Sequence, residues 1–510
     1  MGSTSEFDFD NIQGDIWPGL SKRYQQFFFF SIEDPAAFKA VLKTLADEVI
    51  TSAHDAMRDR AHIHKVKATE SKAPESNFAE SIGAGIVGLA ALPLTVPLNF
   101  FSNLLEPHEI PRSKGSNDVR ITGVNMSFTA KGMTKLSKEK FEDDPFLKGM
   151  YKDMVAEGRD QDGDWMPEFK NGSIDGVVLI CGTEYEVKEK TRELARKYFC
   201  RSHGVRPILT LDGNERPGNQ RGHEHFGYLD GISQPLIRGL DDNAANERGA
   251  RKNLTNPGVI LFGYDGEVRQ GVPSAQPTWA KDGSFLVFRK IRQFVPEWNR
   301  FLKDEATRLH FTPEQFGARL MGRWKSGAPV QLNPVRDDPD MATWNDFDYP
   351  ENDHTNCPFA SHMRKTKPRS GMQNFDVFDI MRRGIPYGPE LDWTETEKTW
   401  RDRGLMFLCY QTSLTLGFQF IRKKWIDVDD FPEKKAEFTG GRLAGQDAVV
   451  GQSVKSDIKG HHKNSQLAIV DGQGQHNQVT FTPFIQSNGG EYFFTPSLKL
   501  LRDLAVAPAV

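Results

Sequence analysis

The sequence predicts an α+β protein in two lobes, each an antiparallel sheet with helices packed against one face, and three observations carry that prediction. Short runs rich in aromatic and β-branched residues, bounded by turn formers, read as strands. Helix-like stretches lie between them, with apolar residues recurring at intervals of three and four. The strand and helix theme of the first half then returns in the second, at the scale of the half-chain rather than as a short repeat.

In chain order, "RYQQFFFFSI" (Arg23 to Ile32) is a first strand, and "DPAAFKAVLKTLADEVI" follows as a helix with Asp34 at its N-cap. "VRITGVNMSFT" (Val119 to Thr129) and "GVVLICGTEYEV" (Gly176 to Val187) are further strands, rich in residues that suit a pleated, half-buried surface. The turn-rich "LDGNERPGNQRG", Leu211 to Gly222, marks the boundary, which divides the chain into lobes at 1–215 and 216–510. Beyond it, "GSFLVFRKIRQFVPEWNRFLK" is a strand running into a helix and "RGLMFLCYQTS" a buried strand. "GFQFIRKKW" reads as a helix, and "GGEYFFTPSLKLLRDL" as a strand followed by a helix. Strand, helix, strand, strand is the order of a sheet with its helices segregated to one face.

At 510 residues the chain exceeds one ordinary hydrophobic core, in keeping with two lobes. The formal charge is −4, with 65 basic and 69 acidic residues spread throughout, so no basic footprint for a nucleic acid is expected. Cys181, Cys200, Cys357 and Cys409 are far apart with no CxxC pair, which argues against a disulfide scaffold or a structural zinc site. The N-terminal "MGSTSEFDFDNIQGDIWPGL" carries acids where a secretory leader needs a basic start and an apolar run, so an intracellular chain or a processed secreted one is expected. From Ser81 to Asn103 no residue is charged, a length that would span a bilayer. Pro93, Pro97 and polar flanks favour instead a packed apolar insertion near 70–115.

Three dense stretches carry chemistry. In "HEHFGYLDGISQP", His223 to Pro235, Asp230 sits between Leu229 and Gly231, and a carboxylate among apolar neighbours needs a partner or a use. A tight turn with an outward Asp is the plainer account, as is a non-metal role for His223 and His225. In "CPFASHMRKTKPR", Cys357 to Arg369, His362 precedes Arg364, Lys365, Lys367 and Arg369; a structural histidine and an anionic cofactor's cradle are both open. In "IMRRGIPYGPE", Ile380 to Glu390, Arg382 and Arg383 precede a turn, which by itself suits an exposed helix end.

In order, GxxDG at Gly227 to Gly231, the histidine of "CPFASHMRKTKPR", "RRGIPYGPE" and the closing "GGEYFFTPS" resemble the dye-decolorizing peroxidases, a haem family, and most of all its longer fungal members. The resemblance also takes in "NIQGDI" (Asn11 to Ile16), "TWAKDGSFLVFR" and "GRWKSGAP" (Gly322 to Pro329), and so covers nearly the whole chain; the insertion near 70–115 departs from it. It implies two ferredoxin-like lobes of the dimeric α+β barrel type and one haem b in the second, held without covalent attachment since no CxxCH occurs. It implies reduction of hydrogen peroxide and oxidation of dyes, phenols and other bulky aromatics. His362 would be the proximal iron ligand, with Asp447 in "GQDAVVGQ" accepting from its second nitrogen. Asp230 would shuttle the peroxide proton, and Arg382 would keep it ionised and stabilise the leaving oxygen. Arg364 would pair with a haem propionate, and Leu405 and Phe407 would line the distal pocket, although core packing accounts for the last two equally.

Bulky donors cannot enter a narrow peroxide pocket, so the resemblance places surface oxidation sites at Tyr387 and Trp425, each of which could equally be a packing aromatic. Glu390 and Asp392 with Asp241 and Asp242 offer oxygen ligands for manganese(II) as a further substrate, against the plainer reading of a solvated acidic face. Two other classes compete: a protein that carries haem or removes its iron on the same fold, and a zinc hydrolase built on His223 and His225.

Overall fold

The computed structural model describes residues 7–70, 121–156, 159–247, 249–250, 254–269, 272–273, 277–369, 375–452 and 465–507. The apolar stretch from Ser81 to Asn103, and all but the first residue of the expected insertion, lie outside the described residues. Among the described residues no helix is long and apolar enough to cross a membrane.

Strand β1 (Tyr24–Ile32) buries all nine of its residues, as four consecutive phenylalanines between polar turns would require. Helix α1 (Pro35–Glu48) starts where Asp34 accepts from the amides of Ala36 and Ala37, which satisfies two of the helix's free donors. It buries Phe38, Val41, Leu42 and Leu45. Strands β2 (Gly123–Phe128) and β3 (Gly176–Gly182) are wholly buried. The expected third strand ends early: Glu184 opens helix α2 (Glu184–Lys197), because "EYEV" is the acidic first turn of an amphipathic helix. Strand β4 (Val205–Asn214) completes the first half in the order β4-β1-β3-β2, all antiparallel.

The second half repeats the pattern with β5 (Ser284–Gln293), helix α3 (Val295–Arg308), helix α4 (Pro313–Met321), and the short strands β6 (Met381–Arg382) and β7 (Ile385–Tyr387). Strand β8 (Gly404–Gln411) follows, and β9 (Ile485–Thr495) leads into helix α5 (Leu498–Val506). Its order is β9-β5-β8-β6, with β7 also on β8. The two halves share one nine-stranded sheet, joined where Phe494 of β9 pairs with Phe128 of β2. The class is α+β with antiparallel strands and no closed barrel.

Phenylalanines fill the seam. Phe27 and Phe29 of β1 pack on Phe288 of β5 at 5.1 and 5.2 Å between ring centroids, so the halves share a core. Each such ring, fully buried, contributes roughly 1.5–3 kcal/mol. A second core lies beneath α3 and α4, where Trp298, Leu302, Phe316 and Leu320 meet Leu467, Ile469, Val479 and Phe481 of the hairpin Ser465–Phe481. Between that core and the sheet lies the cavity described next.

Candidate active site

The stretch from His223 to Pro235 folds back on itself. Gly227 (φ +95°) and Gly231 (φ +87°) occupy the left-handed region that side chains avoid, and they bracket Tyr228, Leu229 and Asp230. The buried Glu224 carboxylate accepts from the amides of Phe226 and Tyr228 at 2.8 and 2.9 Å, and the Asp230 amide donates to the Gly222 carbonyl at 2.9 Å. This bonding fixes the backbone on both sides of Asp230.

Arg382 arrives from β6, held on β8 opposite Cys409. Gln234 clamps its backbone twice, accepting from the Arg382 amide and donating to its carbonyl, both at 3.0 Å. Arg382 Nη1 then reaches Asp230 Oδ1 at 2.5 Å, and the Gly231 amide donates to the same oxygen at 2.6 Å. Burial pushes the Asp230 carboxyl upward, but the Arg382 charge and hydrogen bond outweigh it and hold the group below the ordinary carboxylate range.

His362 opens a short helix, His362–Thr366. Its Nδ1 lies 2.7 Å from Asp447 Oδ2, and Asp447 is fully buried. The other Asp447 oxygen accepts from the amides of Val449 and Val450 at 2.8 and 3.2 Å, which fixes the carboxylate's direction. Lys365, one turn on, donates to the carbonyls of Val428 and Gly445 at 2.5 Å each and ties the helix to the segment bearing Asp447. Burial lowers the His362 pKa, yet the Asp447 charge and hydrogen bond reverse the sign and raise it.

Asp230, Arg382 and His362 line one cavity of about 540 Å³, within the range of a cofactor pocket, with Asp447 behind His362. Leu405 and Phe407, alternate residues on β8, present their half-buried face to it. Met321, Ile291, Phe378, Phe418, Val449 and Ile485 complete an apolar wall.

Arg364 does not face this cavity. Two residues beyond His362 it turns to the other side of the helix, where it donates to the carbonyls of Pro350, Asp353 and Cys357 and lies over the Phe359 and Tyr349 rings. Two other arginines of the cavity could serve instead, Arg369, the last of the basic run after His362, and Arg323, which sequence reasoning did not single out. Arg323 and Arg369 line it, and their hydrogen bonds go to neutral oxygens of Ser233, Gly327, Trp344, Asn345 and Phe347. Burial brings Arg323 down to about 9. A buried Arg323 and a half-buried Arg369, both with neutral partners, suit a ligand's carboxylates. A histidine backed by a carboxylate, an apolar slot of this size and two such arginines together fit haem.

The expected surface aromatics are inside. Trp425 is 2% exposed, packed among Phe378, Phe420 and Phe431, because residues 421–426 wind with the wider π repeat and turn the ring inward. Tyr387 is 4% exposed, and its hydroxyl donates to Asp402 at 2.9 Å. The four carboxylates considered for manganese are not gathered into a site. Asp241 accepts from Trp17 and the Ile237 amide, Asp242 from the Gly239 amide, Glu390 pairs with Arg216, and Asp392 pairs with Arg401. Among the described residues no group of three or more His, Cys, Asp or Glu could hold a metal ion. His223 and His225 are bonded to the carbonyls of Arg221 and Tyr387.

Known proteins share this fold. The family model of the DyP dimeric alpha+beta barrel domain matches residues 11–102 and 100–217, and that of the Dyp-type peroxidase C-terminal domain matches 238–450. The dye-decolorizing peroxidase msp1 of Mycetinis scorodonius is 33% identical over 529 residues, 98% of this chain and 88% of that protein. An ancestral D-type dye-decolorizing peroxidase structure superposes with a TM-score of 0.79 at 35% identity, covering 99% of this chain and all of the other. A dye-decolorizing peroxidase in complex with 2,6-dimethoxyphenol superposes with a TM-score of 0.76 at 31% identity, covering 98% and 100%. A deferrochelatase of Yersinia pestis is 28% identical over 51% of this chain and 52% of its own. The chain belongs to the dye-decolorizing peroxidase family.

Proposed function

We propose that the chain is a haem peroxidase that reduces hydrogen peroxide and oxidises dyes, phenols and other bulky aromatic donors. The observation that carries this reading is the Asp230–Arg382 ion pair lining the same cavity as His362, which Asp447 backs. Haem b would be held without a covalent bond, by the free ring nitrogen of His362 and by Arg323 and Arg369 at its carboxylates. When bound, haem iron supplies the centre at which the peroxide O–O bond is cleaved and the oxidising equivalents are stored.

The protein's own groups manage protons and charge. Asp230, kept ionised by Arg382, takes the proton from the peroxide oxygen that stays and returns it to the oxygen that leaves. The Arg382 guanidinium stabilises the negative charge that develops on the leaving oxygen. Asp447, fixed by two backbone amides, orients the His362 ring and raises its basicity. Leu405 and Phe407 keep the space beside Asp230 apolar, so its charge acts at low dielectric.

A haem carrier or iron-removing protein has no use for a proton shuttle, and the Asp230–Arg382 pair therefore favours the peroxidase. Manganese(II) oxidation has no support in the placement of the acidic side chains. The test is to load the protein with haem and follow 2,6-dimethoxyphenol with and without peroxide. Peroxide-dependent oxidation is the expected result; release of iron with recovery of the bare porphyrin would favour the rival.

A further inference from the structure

The turn from Asp447 to Gln452 carries the carboxylate that backs His362. Its own hydrogen bonds fix its shape: the Val449 and Val450 amides on Asp447 Oδ1, and the Gly451 amide on the Asp447 carbonyl at 2.9 Å. They do not fix how the turn stands against the His362 ring, which requires groups outside it.

Arg422 and Asp427 supply them. Arg422 Nη1 donates to the Val450 carbonyl at 2.5 Å, and its Nε stands 3.2 Å from Asp427 Oδ2. The other Asp427 oxygen accepts from the Gln452 amide at 2.9 Å. One ion pair thus grips the turn at a carbonyl and at an amide, while the Asp447 amide reaches the Ile426 carbonyl of the same segment at 3.3 Å. The two side chains are 6% and 0% exposed, where removing either partner leaves an uncompensated buried charge. Arg159 Nη1, 3.6 Å from Asp427 Oδ2, adds a second cation to that carboxylate. Lys365 binds the carbonyls of Val428 and Gly445, both outside the turn, and does not duplicate this hold.

The π winding of residues 421–426 makes the pair possible. The Asp427 amide donates to the Arg422 carbonyl, five residues back, at 3.3 Å, so residues five apart meet on that turn. In an α-helix they would point about 140° apart around the axis. Single π turns are rare and gather at functional sites. The winding that turns Trp425 inward therefore also builds the clamp on the Asp447 turn.

We infer that Arg422 and Asp427 are positioning residues for the iron ligand, their ion pair setting the direction of Asp447 and so the strength of its hydrogen bond to His362. The inference rests on the peroxidase reading, in which His362 ligates the haem iron. A carboxylate held in line with the Nδ1 proton makes the imidazole a stronger donor through its other nitrogen. A loosened turn weakens that bond with His362 and Asp447 both still in place.

The experiment is resonance Raman spectroscopy of the haem-loaded ferrous protein, read at the iron–histidine stretch, beside the reduction potential and the denaturant midpoint. The proteins are the parent, Asp447→Asn, Arg422→Lys, and the double variant Arg422→Met with Asp427→Asn, which removes one charge of each sign. The double variant is expected to lower the stretch frequency and raise the potential, both toward the Asp447→Asn values. Arg422→Lys keeps a cation at the cavity wall but loses the fork that holds Val450 and Asp427 together, and should shift both readings the same way by less. A double variant whose stretch and potential are parental, or shift oppositely, overturns this inference even if its midpoint falls, because a merely structural pair moves the midpoint alone. If the double variant does not fold, Arg422→Lys decides by the same two readings, and parental values overturn the inference. A parent without an iron–histidine stretch overturns the His362 ligation in the peroxidase reading and this inference with it.

Discussion

Asp447 and His362 are 85 residues apart in sequence and 2.7 Å apart in space, one carboxylate oxygen on the imidazole Nδ1 and the other on two backbone amides. The arrangement fixes the ring's tautomer and leaves its second nitrogen toward the cavity. Replacing Asp447 by Asn keeps a hydrogen bond and removes the charge. The haem reduction potential is then expected to rise and haem affinity to fall by about tenfold or more. Spectroelectrochemical titration reads the first effect and haem transfer to an acceptor protein the second; an unchanged potential would show that the carboxylate does not tune the ligand.

The Asp230 pair sets a pH dependence. Its folded pKa lies below the unfolded value of about 3.9, so the ion pair stabilises the fold above that value and the contribution is lost as pH falls through the folded pKa. Arg382→Leu removes the opposing charge and leaves burial, which raises the pKa. The acid limb of the peroxide rate profile should move to higher pH in the variant. Superimposable profiles would contradict the assignment of Asp230 as the titrating group.

Arg323 and Arg364 separate two kinds of arginine. Arg323→Met should weaken haem retention, measured as faster loss to an acceptor protein. Arg364→Met should leave the carbonyls of Pro350, Asp353 and Cys357 without their donor and cost on the order of 3 kcal/mol of stability in denaturant titration. Equal haem loss in both variants with no stability difference would refute the distinction.

Trp425→Ala should behave as a core truncation, destabilising by about 3–5 kcal/mol. A denaturant midpoint equal to the parent's would mean that the ring is not packed as described.

Much of this was legible in the sequence, for reasons that differ by residue. The glycines flanking Asp230 and the apolar run of β1 are local signals, and both led to the elements the structure contains. His362, Asp230 and Arg382 were picked out by the family resemblance, and the chain brings all three to one cavity. Arg364 went astray because the facing of a residue depends on the helix phase, which a run of basic residues conceals. Trp425 was placed at the surface by the resemblance, with a packing aromatic as the open alternative, and the π winding turns it inward. Arg323 and Gln234 act through partners far away in sequence, which no local pattern records. The joining of the two half-sheets rests on one strand pair, Phe128 with Phe494, and leaves no mark in periodicity.

The central claim is that Asp230 moves the peroxide proton. The measurement that tests it most directly is stopped-flow absorption of the haem-loaded parent and Asp230→Asn mixed with hydrogen peroxide, at equal haem occupancy. The account predicts a rapid change of the haem band in the parent and a rate lower by about 10²–10⁴ in the variant. Equal rates in the two proteins would contradict it.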